Sequence, residues 1–142
     1  MEYPPGERKT NIDFNYLTIP SVNPNPQLLS EIEGRLIIKV NDEVFFDESD
    51  ILLLELAKEL SAWISVGSGD FIYYSMDYEE GPILSFQETE GSWRLSSVWC
   101  DEYIEKISYN SFLKQAECFI SNLVSYLNNS HINHLDGLIK KI

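Results

Sequence analysis

"FIYYSMDYEEGPILSFQETEGSWRLSSVW", residues 71–99, holds three short apolar runs, "FIYYSM", "PILSF" and "SWRLSSVW", joined by "DYEEG" and "QETEG". Each connector carries a glycine and carboxylates, the composition of a solvated turn. A parallel neighbour would need a crossover of roughly a dozen residues or more. Connectors this short therefore make the three runs an antiparallel meander.

On the N-terminal side the apolar period changes from two to the helical one. In "ILLLELAKELSAWI", residues 53, 56, 57, 60, 63 and 64 form one stripe, widened by Leu52 and Leu54. Ser49 or Asp50 is the expected cap of this helix, and Gly67 its end. Further upstream, "EIEGRLIIKV" and "EVFFDE" flank Asn41-Asp42, a pair suited to a tight turn, and read as a hairpin. "IDFNYLTI" alternates at Ile12, Phe14 and Tyr16, then shifts phase at Leu17, and reads as a further strand. "PSVNPNPQ" is a loop. C-terminal to the meander, Phe112, Ala116, Phe119, Ile120, Leu123 and Leu127 share one helical face, with Ser108 as cap.

The order of strands, helix, strands and helix predicts an α+β domain: a five- or six-stranded antiparallel, meander-rich sheet with two helices packed on one face. At 142 residues the chain is read as a single domain, with residues 1–10 as lead-in and 129–142 as tail. No apolar leader and no long apolar run is seen, and Cys100 and Cys118 read as reduced thiols, so a soluble cytoplasmic protein is expected.

The net charge is −13. Residues 41–105 hold 16 acids against Lys58 and Arg94, a net −14, whereas the remainder holds seven acids and eight bases. Solvated turns favour Asp and Glu by themselves, and carboxylates suit a helix start. A field of one sign, without interspersed cations, is instead what steers an oppositely charged partner. Aromatic residues lie among these acids: Phe71 and Trp93 read as core, and Tyr74, Tyr78 and Tyr103 read either as core pairs or as parts of a protein-binding patch. The candidate partner-binding residues are Tyr74, Asp77, Tyr78, Glu79, Glu80, Glu88, Glu90, Asp101, Glu102 and Tyr103.

Catalytic patterns are missing. The two histidines, His131 and His134, lie in the tail with Asp136 nearby, and read as surface. There is no GxSxG, HExxH or Gly-rich phosphate loop, and "GSGD" at 67–70 reads as a turn. Adjacent acids such as Glu79-Glu80 and Asp101-Glu102 match general acid–base pairs only by chance in a chain with 23 acids. No catalytic residue, cofactor or metal is expected, nor direct binding to nucleic acid or membrane.

"FIYYSMDYEEGPILSFQETEGSWRLSSVW" followed by an amphipathic helix resembles, over residues 30–128, small acidic bacterial immunity proteins of polymorphic or contact-dependent toxin systems. The resemblance implies a non-catalytic role: binding a cognate toxin domain, commonly a basic nuclease, and blocking it. It transfers no site residues. An acidic nucleic-acid mimic that inhibits another basic protein, and a housekeeping domain without such a partner, are the alternatives.

Overall fold

A computed structural model describes residues 7–18, 32–76 and 78–129. Its elements in chain order are β1 (Thr10–Thr18), β2 (Glu33–Val40), β3 (Glu43–Leu52), α1 (Leu53–Val66), β4 (Phe71–Tyr73), β5 (Leu84–Thr89), β6 (Ser92–Ser96) and α2 (Tyr109–Asn129). The protein is α+β, and among the described residues it has two helices and two antiparallel three-stranded sheets, ordered β1-β2-β3 and β4-β5-β6. The expected single sheet of five or six strands is not found among the described residues: the free edge of β6 is taken by the returning 104–107 segment rather than by a strand of the first sheet.

Backbone hydrogen bonds nevertheless link the sheets. After β6 the chain turns back, and Leu95 and Ile104 exchange N–H···O bonds of 2.8 and 2.9 Å. The Ile107 N–H then donates to Trp93 O. Arg8, two residues before β1, donates to Lys106 O at 2.7 Å and accepts from Ser108 N–H at 2.8 Å. The segment that leads into β1 thus lies against the returning 104–108 segment. β1 itself meets α2 by side chains: Thr10 N–H donates to Ser111 Oγ and Ile12 N–H to Gln115 Oε1. Helix side chains occupy donors that an edge strand would otherwise leave without a protein partner.

Local sequence explains most boundaries. Asn41 and Asp42 both adopt positive φ, 50° and 69°, as the two central residues of a type I′ hairpin turn must. Tyr16 has φ 53°, and the β1–β2 register slips between Asn15 and Thr18; this bulge is the phase shift visible at Leu17. Gly67 closes α1 in the left-handed conformation, its N–H bonding to Trp63 O. At the other end of α1 the expected cap is corrected. β3 runs through Ser49 and Asp50 into the helix, whose first residues have no side-chain cap; the Leu53 N–H donates to Ile32 O instead. For α2 the expected cap is present, Ser108 Oγ accepting from Ser111 N–H at 3.2 Å.

One cluster of buried side chains draws on both sheets and both helices. Leu36, Ile38 and Phe46 enter from the first sheet, Phe71, Phe86 and Leu95 from the second, and the stripes of α1 and α2 complete it. Phe86 stacks on Phe112 with centroids 4.0 Å apart and on Trp93 at 4.7 Å, while Trp63 meets Phe71, Phe86, Tyr109 and Phe112. Aromatic pairs of this kind add roughly 0.5–1.5 kcal/mol each beyond their buried area.

Phe119 is buried and meets Phe14 edge-on at 5.7 Å. Phe119→Ala is expected to destabilise the protein by about 3–5 kcal/mol. Urea denaturation checks this, and an unshifted midpoint would contradict the packing of α2.

Candidate functional site

The second half of β3 is irregular. Leu36 pairs with Glu48 and Gly34 with Ile51, so Ser49 and Asp50 together stand opposite Arg35. The extra residue is accommodated by Asp50 at φ 60°, a conformation Asp tolerates better than most residues. Beside the bulge, Arg35 grips the Asp47 carboxylate with two 2.7 Å hydrogen bonds, which hold that carboxyl below its ordinary range.

Facing this bulge are two loops, 74–83 between β4 and β5 and 97–103 after β6. Val98 N–H donates to Pro82 O at 3.0 Å. A Cβ on Gly81 would come within 2.9 Å of Val98 Cγ2, so the loops touch at a point that only glycine permits. The Cys100 thiol donates to Phe45 O, and the Trp99 ring stacks over Phe46 at 6.0 Å, fixing the second loop to β3. Tyr78 meets Trp99 edge-on at 5.0 Å.

Between them lies a cleft of about 420 Å³, lined by residues 48–52 and by Tyr73, Ser75, Tyr78, Ile83 and Trp99. That volume falls within the range of ligand-binding clefts, roughly 300–1,000 Å³. Beneath it sits an unusual group. Glu55 of α1 is only 7% exposed. It accepts a 2.6 Å hydrogen bond from the Tyr73 hydroxyl, and both its oxygens lie 3.3 Å from the Met76 N–H. A buried carboxyl needs such donors, and here they anchor the 74–83 loop to the helix. The Cys100 thiol pKa is raised, first by burial and further by the Glu48 and Asp101 carboxylates, against an opposing hydrogen bond from Ser97.

The structure divides the predicted residues. Tyr74, Glu79 and Glu80 are exposed and Tyr78 half-buried on the 74–83 loop, and Asp101 and Glu102 are exposed on the neighbouring loop. Asp77 lies outside the described residues, as do His131, His134 and the proline-rich loop. Glu88 and Glu90 stand at the other end of the second sheet, where the Glu88 N–H donates to Asp70. Five residue steps along β5 put the two ends about 17 Å apart. Tyr103 is exposed but engaged, with the Arg94 guanidinium 3.8 Å over its ring and bonded to Glu105 at 2.9 Å. Phe71 joins the core as expected, and Trp93, half-buried, packs against it and stacks on Phe86.

Glu48, Asp50, Glu55 and Trp99 are site residues absent from the predicted set. The signal for Glu55 is present in the sequence: one carboxylate among Leu53, Leu54, Leu56 and Ala57. Glu48 reads as the last residue of the hairpin strand and Asp50 as a helix cap, because a bulged strand running directly into a helix leaves no alternating pattern. Among the described residues no group of three His, Cys, Asp or Glu side chains is arranged to hold a metal ion, and no helix is long and apolar enough to cross a membrane.

The site is thus a cleft with acidic and aromatic residues in its lining. Residues 10–129 match the family model described as a domain of unknown function, DUF7878, and the chain belongs to that family. No curated protein and no solved structure matches it.

Two outcomes test the cleft's construction. Tyr73→Phe removes a donor to buried Glu55 and is expected to cost about 1–3 kcal/mol in a denaturant titration; no change would contradict the anchoring role. Exposed Cys118 is expected to react with a thiol reagent at pH 8 well before Cys100, which is half-buried and has its pKa raised by that burial. Mass spectrometry of the partly labelled protein checks the order.

Proposed function

We propose that this protein is a non-catalytic binding module that neutralises a basic protein domain, in the manner of a small immunity protein acting on its cognate toxin. The partner's cationic side chains dock at the cleft between β3 and the 74–83 and 97–103 loops. The observation that carries the proposal is the meeting, at one cleft, of β3 carboxylates Glu48 and Asp50 with the Tyr78 and Trp99 rings. Neither acid has a Lys or Arg within ion-pair distance among the described residues, where the three ion pairs are Arg35–Asp47, Lys58–Glu59 and Arg94–Glu105.

Chemistry favours a cation in such a place. Carboxylates supply charge-assisted acceptors, and the face of a Trp or Tyr ring attracts a guanidinium or ammonium by about 0.5–2 kcal/mol, more as water is excluded. Glu79, Glu80, Asp101 and Glu102 surround the cleft on its two loops and extend the field, which raises the encounter rate with a basic surface. Tyr74 at 62% exposure and Met76 at 53% add apolar area beside it. Glu88 and Glu90, at the far end of the sheet, contribute long-range field and no contact.

The direct test co-expresses the chain with the basic domain encoded beside its gene. Growth rescue and a co-purifying one-to-one complex are expected; unrelieved toxicity with no complex would overturn the proposal. Reversing Glu79, Glu80 and Asp101 to Lys should slow association in stopped flow by roughly tenfold or more at low salt, with the difference shrinking as salt rises. Equal reversals at Asp70, Glu88 and Glu90 should change it less.

A further inference from the structure

A second pocket carries the opposite charge. It has a volume of about 260 Å³ and is lined by Lys9, Thr10, Asn11, Lys39, Asn41, Asp42, Ser111, Lys114 and Gln115. We propose that it binds a phosphate-bearing small molecule.

The described residues include eight Lys and Arg side chains. Three, Arg35, Lys58 and Arg94, are in ion pairs with Asp47, Glu59 and Glu105. Three of the other five, Lys9, Lys39 and Lys114, line this one pocket, with Asp42 as its only acid. They come from three separate elements: the lead-in to β1, strand β2 and helix α2. Bringing like charges together costs free energy. In a chain of net charge −13, acids to disperse them were plentiful, so the convergence points to an anion.

The polar groups between the lysines are set as donors. Asn41 Oδ1 accepts from the Lys9 N–H at 3.1 Å, and Gln115 Oε1 from the Ile12 N–H at 3.1 Å. Each amide therefore has its oxygen committed and its NH₂ end left to donate. Asn41 N–H bonds in turn to Lys9 O, and Thr10 N–H to Ser111 Oγ, so the frame is tied across three segments: residues 9–12, the β2–β3 turn and α2. Thr10 itself is 5% exposed with its Oγ1 closed off from solvent, so its contribution to the pocket is the backbone that Ser111 and Asn41 tie in place.

Three lysines and two amide NH₂ groups suit a ligand with many acceptor oxygens and more than one negative charge, which is a phosphate or diphosphate rather than a single carboxylate. A long nucleic acid would meet the repulsion of the acidic middle of the chain. A small anion in the pocket feels chiefly the three lysines, since at physiological salt charges farther than about 8 Å are largely screened.

The test is an NMR and calorimetric titration of the whole protein with inorganic phosphate, pyrophosphate and a nucleoside diphosphate, each against sodium chloride at matched ionic strength. Saturable binding is expected, with shifts confined to residues 9–11, 39–42 and 111–115, and pyrophosphate tighter than phosphate. Lys39→Gln with Lys114→Gln should weaken pyrophosphate binding at least tenfold without lowering the melting temperature in chloride. If the pair is destabilised, Lys114→Gln alone, on the helix surface, carries the comparison. A nucleoside diphosphate binding more tightly than pyrophosphate would identify a nucleotide as ligand, and equal binding the phosphate groups alone; both support the site. A response no different from chloride, or one unchanged in the variants, would overturn it.

Discussion

The Glu55 carboxyl, buried in the first turn of α1, sets the geometry on which the candidate site depends. Removing a carboxyl from water is unfavourable unless donors replace the water, and this one is met by the Tyr73 hydroxyl at 2.6 Å and by the Met76 N–H. Both donors belong to β4 and the loop after it. The helix therefore dictates where that loop runs, and the loop in turn forms one wall of the cleft. The opposite wall is the bulged end of β3, which passes without a side-chain cap into the same helix. Cleft, loop and helix are one mechanical unit.

A second constraint holds the two sheets together. Arg8 and the 104–108 segment exchange backbone hydrogen bonds, and the aromatic cluster around Phe86, Phe112 and Trp63 fills the space between the second sheet and the helices. Because α2 also supplies Ser111 and Gln115 to β1, the same helix serves the core on one face and the lysine-lined pocket on another. The acidic cleft and the basic pocket are thus built from largely different elements of one framework.

Much of this is legible in the chain. Asn41-Asp42 announces the β2–β3 turn, Gly67 the end of α1, Ser108 the start of α2, and both helical stripes become buried faces. What is not legible follows from interactions distant in sequence. Strand runs "FIYYSM" and "SWRLSSVW" end early, at Tyr73 and Ser96, because Glu55 and Pro82 draw the following residues into loops. Division into two sheets goes with the returning 104–107 segment taking the edge of β6, which no local period records. Composition locates the acids along the chain but not in space: Glu79, Glu80, Asp101 and Glu102 belong to the cleft's two loops, whereas Glu88 and Glu90 lie one strand length away. The lysines at 9, 39 and 114 are too far apart in sequence to suggest a pocket.

Chemical-shift mapping of the protein against the basic domain it is proposed to bind tests the central claim most directly. The largest perturbations are expected at residues 48–52, 74–81 and 98–102, with the Trp99 indole signal among them. Perturbations centred instead on Asp70, Glu88 and Glu90, with the Trp99 signal unmoved, would contradict it.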